Sequence, residues 1–214
     1  MKNTLSPLSL LSPAKLKVLL SLGIKGYLAE KGWFEAFRTK SAIDQDGNPI
    51  AWVTYSFIDF IKERISKDLD IFEFGSGNST IFYAGLAKSV YSVEHDKEWF
   101  AKSSQIRLPN VNIIHCDLTP GGDYSKSAIA TGMKFHMIIV DGRDRVNCCK
   151  QSIHSLTENG VVVLDDSERA EYAEARDFFR ASGFRHLPFS GMAPGAIVSK
   201  CTSVFYKANN SLDI

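Results

Sequence analysis

The sequence lacks the features that would staple a chain, carry it through a bilayer or draw it to nucleic acid. Its four cysteines, Cys116, Cys148, Cys149 and Cys201, form no Cys-x-x-Cys pair. Adjacent Cys148 and Cys149 are a poor disulfide or zinc arrangement. That excludes a disulfide-held scaffold and points to reduced, partly buried thiols in a cytoplasmic protein. Neither sign of charge dominates: the formal net charge is +1, which leaves no electrostatic footprint of a nucleic-acid binder. Long apolar runs are missing too. Residues 5–22 are rich in leucine, but Pro7, Pro13, Lys15 and Lys17 interrupt them. The stretch is too broken to span a membrane, and it has no charged start, unbroken apolar centre and small-residue cleavage site. It reads as a helical lead-in, with no membrane partner expected. There is no internal repeat, no low-complexity tract and no Gly-x-Ser-x-Gly nucleophile motif.

What is present is an ordinary globular composition over 214 residues, enough for one full core and a small accessory segment. The chain is organised around residues 69–80, LDIFEFGSGNST. Apolar residues lead to Glu73, then to Gly-x-Gly, then to a helical pattern. This is a buried strand, a tight turn and a helix start. Gly75 and Gly77 permit positive φ and close approach of a ligand to bare backbone. Asn78, Ser79 and Thr80 supply N-cap chemistry at the helix start. A second strand, residues 90–94, ends in Glu94, at the distance from the glycines expected of a carboxylate that holds ribose hydroxyls. Thr80 stands where a dinucleotide fingerprint has its third glycine, which argues for a nucleoside ligand without a diphosphate.

Strands and helices alternate from there. A helix is expected over residues 96–107 with Asp96 as its cap, then a strand over 111–115 and a long functional loop over 119–134. A strand over 135–140, a helix over 143–156, a strand over 160–164 and a helix over 167–182, capped at Asp166-Ser167 and stopped by Gly183, follow. Residues 184–189 and 202–207 are strand-like with no helix between them, so they pair antiparallel or do not pair. Upstream lie a Pro-started helix near residue 13, a helical piece over 27–37, a turn over 44–49 and an amphipathic helix over 57–65. Residues 1–66 are set apart as a helical cap or extension and 67–214 as the α/β domain. Trp52 and Tyr55 in the first segment either line a pocket or pack helices onto the sheet, and packing is the expectation.

Five strands end in carboxylates: Glu73, Glu94, Asp117, Asp141 and Asp165. In a doubly wound sheet ligands bind outside the carboxyl ends of the strands, so five acids on one edge point to a site. Glu73-Phe74-Gly75-Ser76-Gly77 followed by Glu94 resembles the first motifs of class I S-adenosylmethionine-dependent methyltransferases, over about residues 69–207. The resemblance implies an α/β, doubly wound, mostly parallel seven-stranded sheet with an antiparallel C-terminal strand, plus the helical N-terminal extension. It implies S-adenosylmethionine as cofactor, held by Glu73, Gly75, Ser76, Gly77, Asn78, Ser79, Glu94, His95, Asp117, Leu118 and Asp141. Glu94 would take the ribose hydroxyls and Asp117 and Leu118 the adenine. The reaction would be O-methyl transfer by in-line displacement to a small-molecule acceptor. Asp141 would act as general base or, with Asp165 and Asp166, as ligand of a divalent cation such as Mg. Arg143 and Arg145 would either hold an anionic substrate or be solvated and paired with Asp144. His136, inside a strand, is expected to be a satisfied face residue. A homodimer is permitted by the N-terminal aromatics. An NAD-dependent oxidoreductase and a nonenzymatic nucleoside-binding subunit are the competing readings.

Overall fold

The computed structural model describes residues 12–214; the first part of the lead-in and of the cap, residues 1–11, lies outside the described residues. In chain order the elements are α1 (Pro13–Ser21), α2 (Tyr27–Glu30), α3 (Trp33–Thr39), α4 (Tyr55–Lys62), β1 (Asp70–Phe74), α5 (Asn78–Leu86), β2 (Ser89–Glu94), α6 (Lys97–Ser103), β3 (Val111–His115), α7 (Ser127–Ala130), β4 (Phe135–Val140), α8 (Arg145–Ser152), β5 (Leu156–Leu164), α9 (Ala173–Ala181), β6 (Arg185–Gly191) and β7 (Lys200–Tyr206). The seven strands form one sheet in the order β3-β2-β1-β4-β5-β7-β6. β3, β2, β1, β4 and β5 pair parallel, and β7 runs antiparallel between β5 and β6. This is the doubly wound, mostly parallel architecture expected.

The central strands read as continuous apolar runs because both faces of the sheet are covered. On one face Ile71, Met137, Ile139, Val161 and Val163 pack with Ile50, Val53, Phe57, Ile58 and Ile61, so α4 and the segment before it share a core with the sheet. On the other, Phe72, Phe74, Ile138 and Val162 pack with Cys148, Cys149 and Phe179. Phe179 stacks on Phe205 at 4.3 Å between ring centroids and is fully buried; truncating it to Ala is worth about 3–5 kcal/mol. All four cysteines are free thiols. Among the described residues no helix is long and apolar enough to cross a membrane.

Several local expectations change. The piece over 27–37 is two helices, α2 and α3, because Gly32 takes φ +72° between them, pressed against the backbone of Asp44 and Gln45. The long loop over 119–134 carries a turn of 3-10 helix at Asp123–Lys126 and then α7. The helix expected from residue 167 starts later: Asp166 is left-handed, φ +54°, and Ser167 donates to the Cys201 carbonyl at 3.0 Å instead of capping. A short 3-10 turn (Ala170–Tyr172) then precedes α9. Asp96 caps α6 as expected, accepting from the Trp99 N–H at 2.8 Å. Gly183 is left-handed after α9, and His136 accepts from the Asp70 N–H inside the sheet.

Candidate active site

The register of the sheet assembles the site. Phe74 of β1 is level with Val93 of β2 and with Val140 of β4, and Val140 is level with Leu164 of β5. The next residue of each strand, Gly75, Glu94, Asp141 and Asp165, therefore falls in one row along the carboxyl edge. The sheet order reverses between β1 and β4, where a doubly wound fold opens its crevice. A cavity of about 660 Å³ lies there, lined by Glu73, Gly75, Ser76, Gly77, Asn78, Ser79, Glu94, His95, Asp141 and Arg143 among others. On β3 it is His115 that is level with Glu94. Asp117 and Leu118 overshoot the row, lie outside the cavity lining and are exposed, with Asp117 3.5 Å from Lys97 Nζ.

Glu94 is 5% exposed, and its carboxylate is fixed from below. Oε1 accepts the backbone N–H groups of His95 (2.8 Å) and Asp96 (2.9 Å), and Oε2 accepts the Ser76 hydroxyl (3.2 Å). An ionised carboxylate has about four lone-pair sites, so Oε2 keeps capacity for a hydroxyl in the cavity. Glu73 is buried, and its Oε2 takes hydroxyls from Thr80 (2.6 Å) and Ser92 (3.0 Å). Its Oε1 has no hydrogen bond among the described residues. Burial pushes the Glu73 carboxyl up to about 7, with the neighbouring Glu94 adding to the rise and the two hydroxyls opposing it.

The glycine turn is held in a conformation that side chains resist. Gly75 and Gly77 have φ +109° and +146°. A Cβ on Gly77 would lie 3.4 Å from the Trp99 ring, whose indole N–H donates to the Ser76 carbonyl at 2.7 Å. Gly77 is itself the N-cap of α5, and Thr80 accepts its N–H at 3.0 Å. Asn78 and Ser79 do different work from capping. Asn78 donates to Ser41 and to the Ala42 carbonyl, both at 2.9 Å, and Ser79 accepts the Trp52 N–H at 3.0 Å. Their side chains fasten the N-terminal segment over the turn. Trp52, 43% exposed, joins the cavity lining, whereas Tyr55 is core. Packing was the wrong expectation for Trp52 and the right one for Tyr55.

Asp141 is partly buried at the cavity floor. Burial and the nearby Asp165 carboxylate push its carboxyl well above the usual range, against the pull of Arg145 and Lys200. The divalent-cation arrangement does not fit. Arg145 pairs with Asp141 (3.0 Å) and Asp166 (3.4 Å), Lys200 with Asp165 and Asp166 (both 2.8 Å), and Arg169 with Asp166 (2.6 Å). Asp165 also accepts the Thr202 hydroxyl at 2.7 Å. The acids expected to ligate a metal are neutralised by protein cations, and among the described residues no cluster of three His, Cys, Asp or Glu side chains could hold an ion. Arg145 is buried, not solvated, and Asp144 accepts instead from Gly121 and Asn147. Arg143 is exposed at the cavity and makes no hydrogen bond or ion pair through its guanidinium among the described residues.

Sequence reasoning missed Trp99, Lys40, Ser41 and Lys102 in the lining. Trp99 was detectable in principle as an aromatic three residues after a capping Asp96. Lys40 and Ser41 carry no signal, since long-range packing brings them there.

S-adenosylmethionine fits the residues present: Glu94 offers a diol acceptor, Glu73 a free carboxylate oxygen for an amino group, and the glycine turn open backbone. The sequence matches no protein-family model and no curated protein. Solved structures are similar in fold. A precorrin-6y C5,15-methyltransferase from Geobacter metallireducens superposes with a TM-score of 0.58 at 14% identity, over 78% of this chain and 98% of that one. An rRNA methylase from Streptococcus thermophilus gives 0.51 at 16%, over 70% and 92%. A Streptococcus mutans protein solved in complex with SAH gives 0.51 at 14%, over 70% and 94%. The chain therefore has the Rossmann-like fold of the class I S-adenosylmethionine-dependent methyltransferases.

Proposed function

We propose that this protein transfers a methyl group from S-adenosylmethionine to an oxygen of a small anionic acceptor. The observation that carries the reading is the row of Glu94, Gly75 and Asp141 at the sheet's switch point, opening on one cavity. Bound S-adenosylmethionine supplies an electrophilic methyl group on a sulfonium. Glu94, preset by two backbone N–H groups, accepts the ribose hydroxyls. Glu73 receives the amino group through Oε1, and His95 lies beside the base. Asp141, at the end of β4 on the cavity, takes the acceptor's hydroxyl proton; burial and the Asp165 carboxylate raise its affinity for that proton. Arg143, without an ion pair among the described residues and two residues from Asp141, holds a carboxylate or phosphate of the acceptor, with Lys40 on the same cavity. Placing the two reactants in line does most of the catalytic work, because no covalent enzyme intermediate is needed.

Calorimetric titration with S-adenosylmethionine, S-adenosylhomocysteine and NAD tests this. Binding of the first two at micromolar affinity, abolished in Glu94→Ala, is expected. Binding of NAD alone, or of none of the three, sinks the reading.

A further inference from the structure

The N-terminal helix is the part of the molecule that the catalytic reading does not use. α1 buries none of its residues. At about 100° per residue, Leu16, Leu19 and Leu20 share one face, and Lys15 and Lys17 flank that face on its two sides. Leu16, Leu19, Leu20 and Ile24 are exposed by 44–83% of their surface. The first 29 residues contain Lys2, Lys15, Lys17 and Lys25 and not one acid.

The apolar surface continues into the body. A methyl group at Gly23 would lie 3.6 Å from the Phe34 ring, so the end of α1 meets α3. Phe34 and Phe37 of α3 are exposed, and Lys40 sits over the Phe37 ring at 4.1 Å while lining the cavity. Ile197 and Val198 are exposed on a loop tied to α3 by the Trp33 indole, which donates to the Ala196 carbonyl.

We propose that this face docks the protein on an anionic lipid bilayer. Leucines enter the headgroup region, the flanking lysines reach back to lipid phosphates, and the cavity mouth is brought beside the surface. The charge selects this occupant. A second copy seated symmetrically on α1 would set one acid-free, lysine-bearing segment against another. Anionic headgroups complement a segment whose sequence holds four lysines and no acid.

The test needs no methyl transfer, so its failure is distinct from failure of the functional reading. The full chain is sedimented with vesicles of phosphatidylcholine alone and of equal parts phosphatidylcholine and phosphatidylglycerol. Binding to the anionic vesicles is expected, at least about tenfold stronger than to the neutral ones and weakened by salt. Leu16→Glu/Leu19→Glu and, separately, Lys17→Glu/Lys25→Glu should each reduce it at least about tenfold, with unchanged thermal unfolding because these side chains are exposed. No sedimentation with anionic vesicles overturns the proposal, as does equal binding to both vesicle types. Variants that bind like the parent overturn it too. So does a dimer in light scattering that the leucine variant dissolves while vesicles bind neither form.

Discussion

The Arg145 guanidinium donates to the Asp141 carboxylate at 3.0 Å, four residues earlier in the chain, and the same group donates to the backbone carbonyls of Asp141 (3.0 Å), Gly142 (3.0 Å) and Asp165 (2.6 Å). One buried arginine thus ties the ends of β4 and β5 together beneath the cavity. Around it three acids, Asp141, Asp165 and Asp166, face three cations, Arg145, Lys200 and Arg169.

Replacing Arg145 should be costly. Arg145→Met leaves buried carboxylates uncompensated and is expected to lower unfolding free energy by about 3–5 kcal/mol in urea titrations. Arg143→Ala, at an exposed guanidinium, should stay within about 0.5 kcal/mol of the parent. Once an acceptor is known, Arg143→Ala should cut kcat/KM for it roughly tenfold or more, the worth of one charged hydrogen bond.

Glu94→Gln keeps the shape and removes the charge. The backbone N–H groups of His95 and Asp96 lose an anionic partner, and a ribose diol loses an ionised acceptor. S-adenosylhomocysteine affinity, read by calorimetry, should fall roughly 100-fold.

Glu73 should make stability depend on pH. Its carboxyl titrates at about 7 in the fold against an ordinary 4.5. Below the lower value both states hold the proton. Between the two, the unfolded chain releases it and the fold retains it, so stability falls as pH rises through this window and levels off above it. The loss amounts to about 3 kcal/mol. Denaturant titrations at about pH 5 and about pH 8 should show this slope in the parent and a smaller one in Glu73→Gln, since Asp141, also raised, keeps its own share. An unchanged slope in the variant would assign the effect elsewhere.

Trp99→Phe removes the indole N–H that clasps the Ser76 carbonyl and keeps an aromatic over Gly77. A cost of about 1 kcal/mol is expected, read as a several-fold loss of S-adenosylhomocysteine affinity with little change in unfolding midpoint.

The sheet and its edge were legible because their signals are local. Gly75 and Gly77 after an apolar run, Glu94 after the next one and Asp141 after the fourth mark strand ends, and period and punctuation place most strands within a residue or two, though β5 begins four residues before the expected 160. The helix-free gap between the last two strands excluded a parallel pairing. Which strand ends lie level is a different matter. Asp117 looks like its companions in sequence, yet β3 meets β2 in a register that puts His115 in the row and leaves Asp117 beyond it. Register depends on pairing across the sheet, not on the order of residues along a strand. The fate of Asp165 and Asp166 likewise turned on Lys200, 35 residues away from Asp165, and that of Trp52 on Ser79 and on the Pro194 carbonyl that its indole N–H reaches. The sequence by itself determined the strand-turn-helix units, the acids at their ends and the helical character of the lead-in, since each rests on neighbours within a few positions. Only the tertiary structure decided which acids share a cavity, which are neutralised by distant cations, and which leucines remain on the surface, because these follow from contacts between segments far apart in the chain.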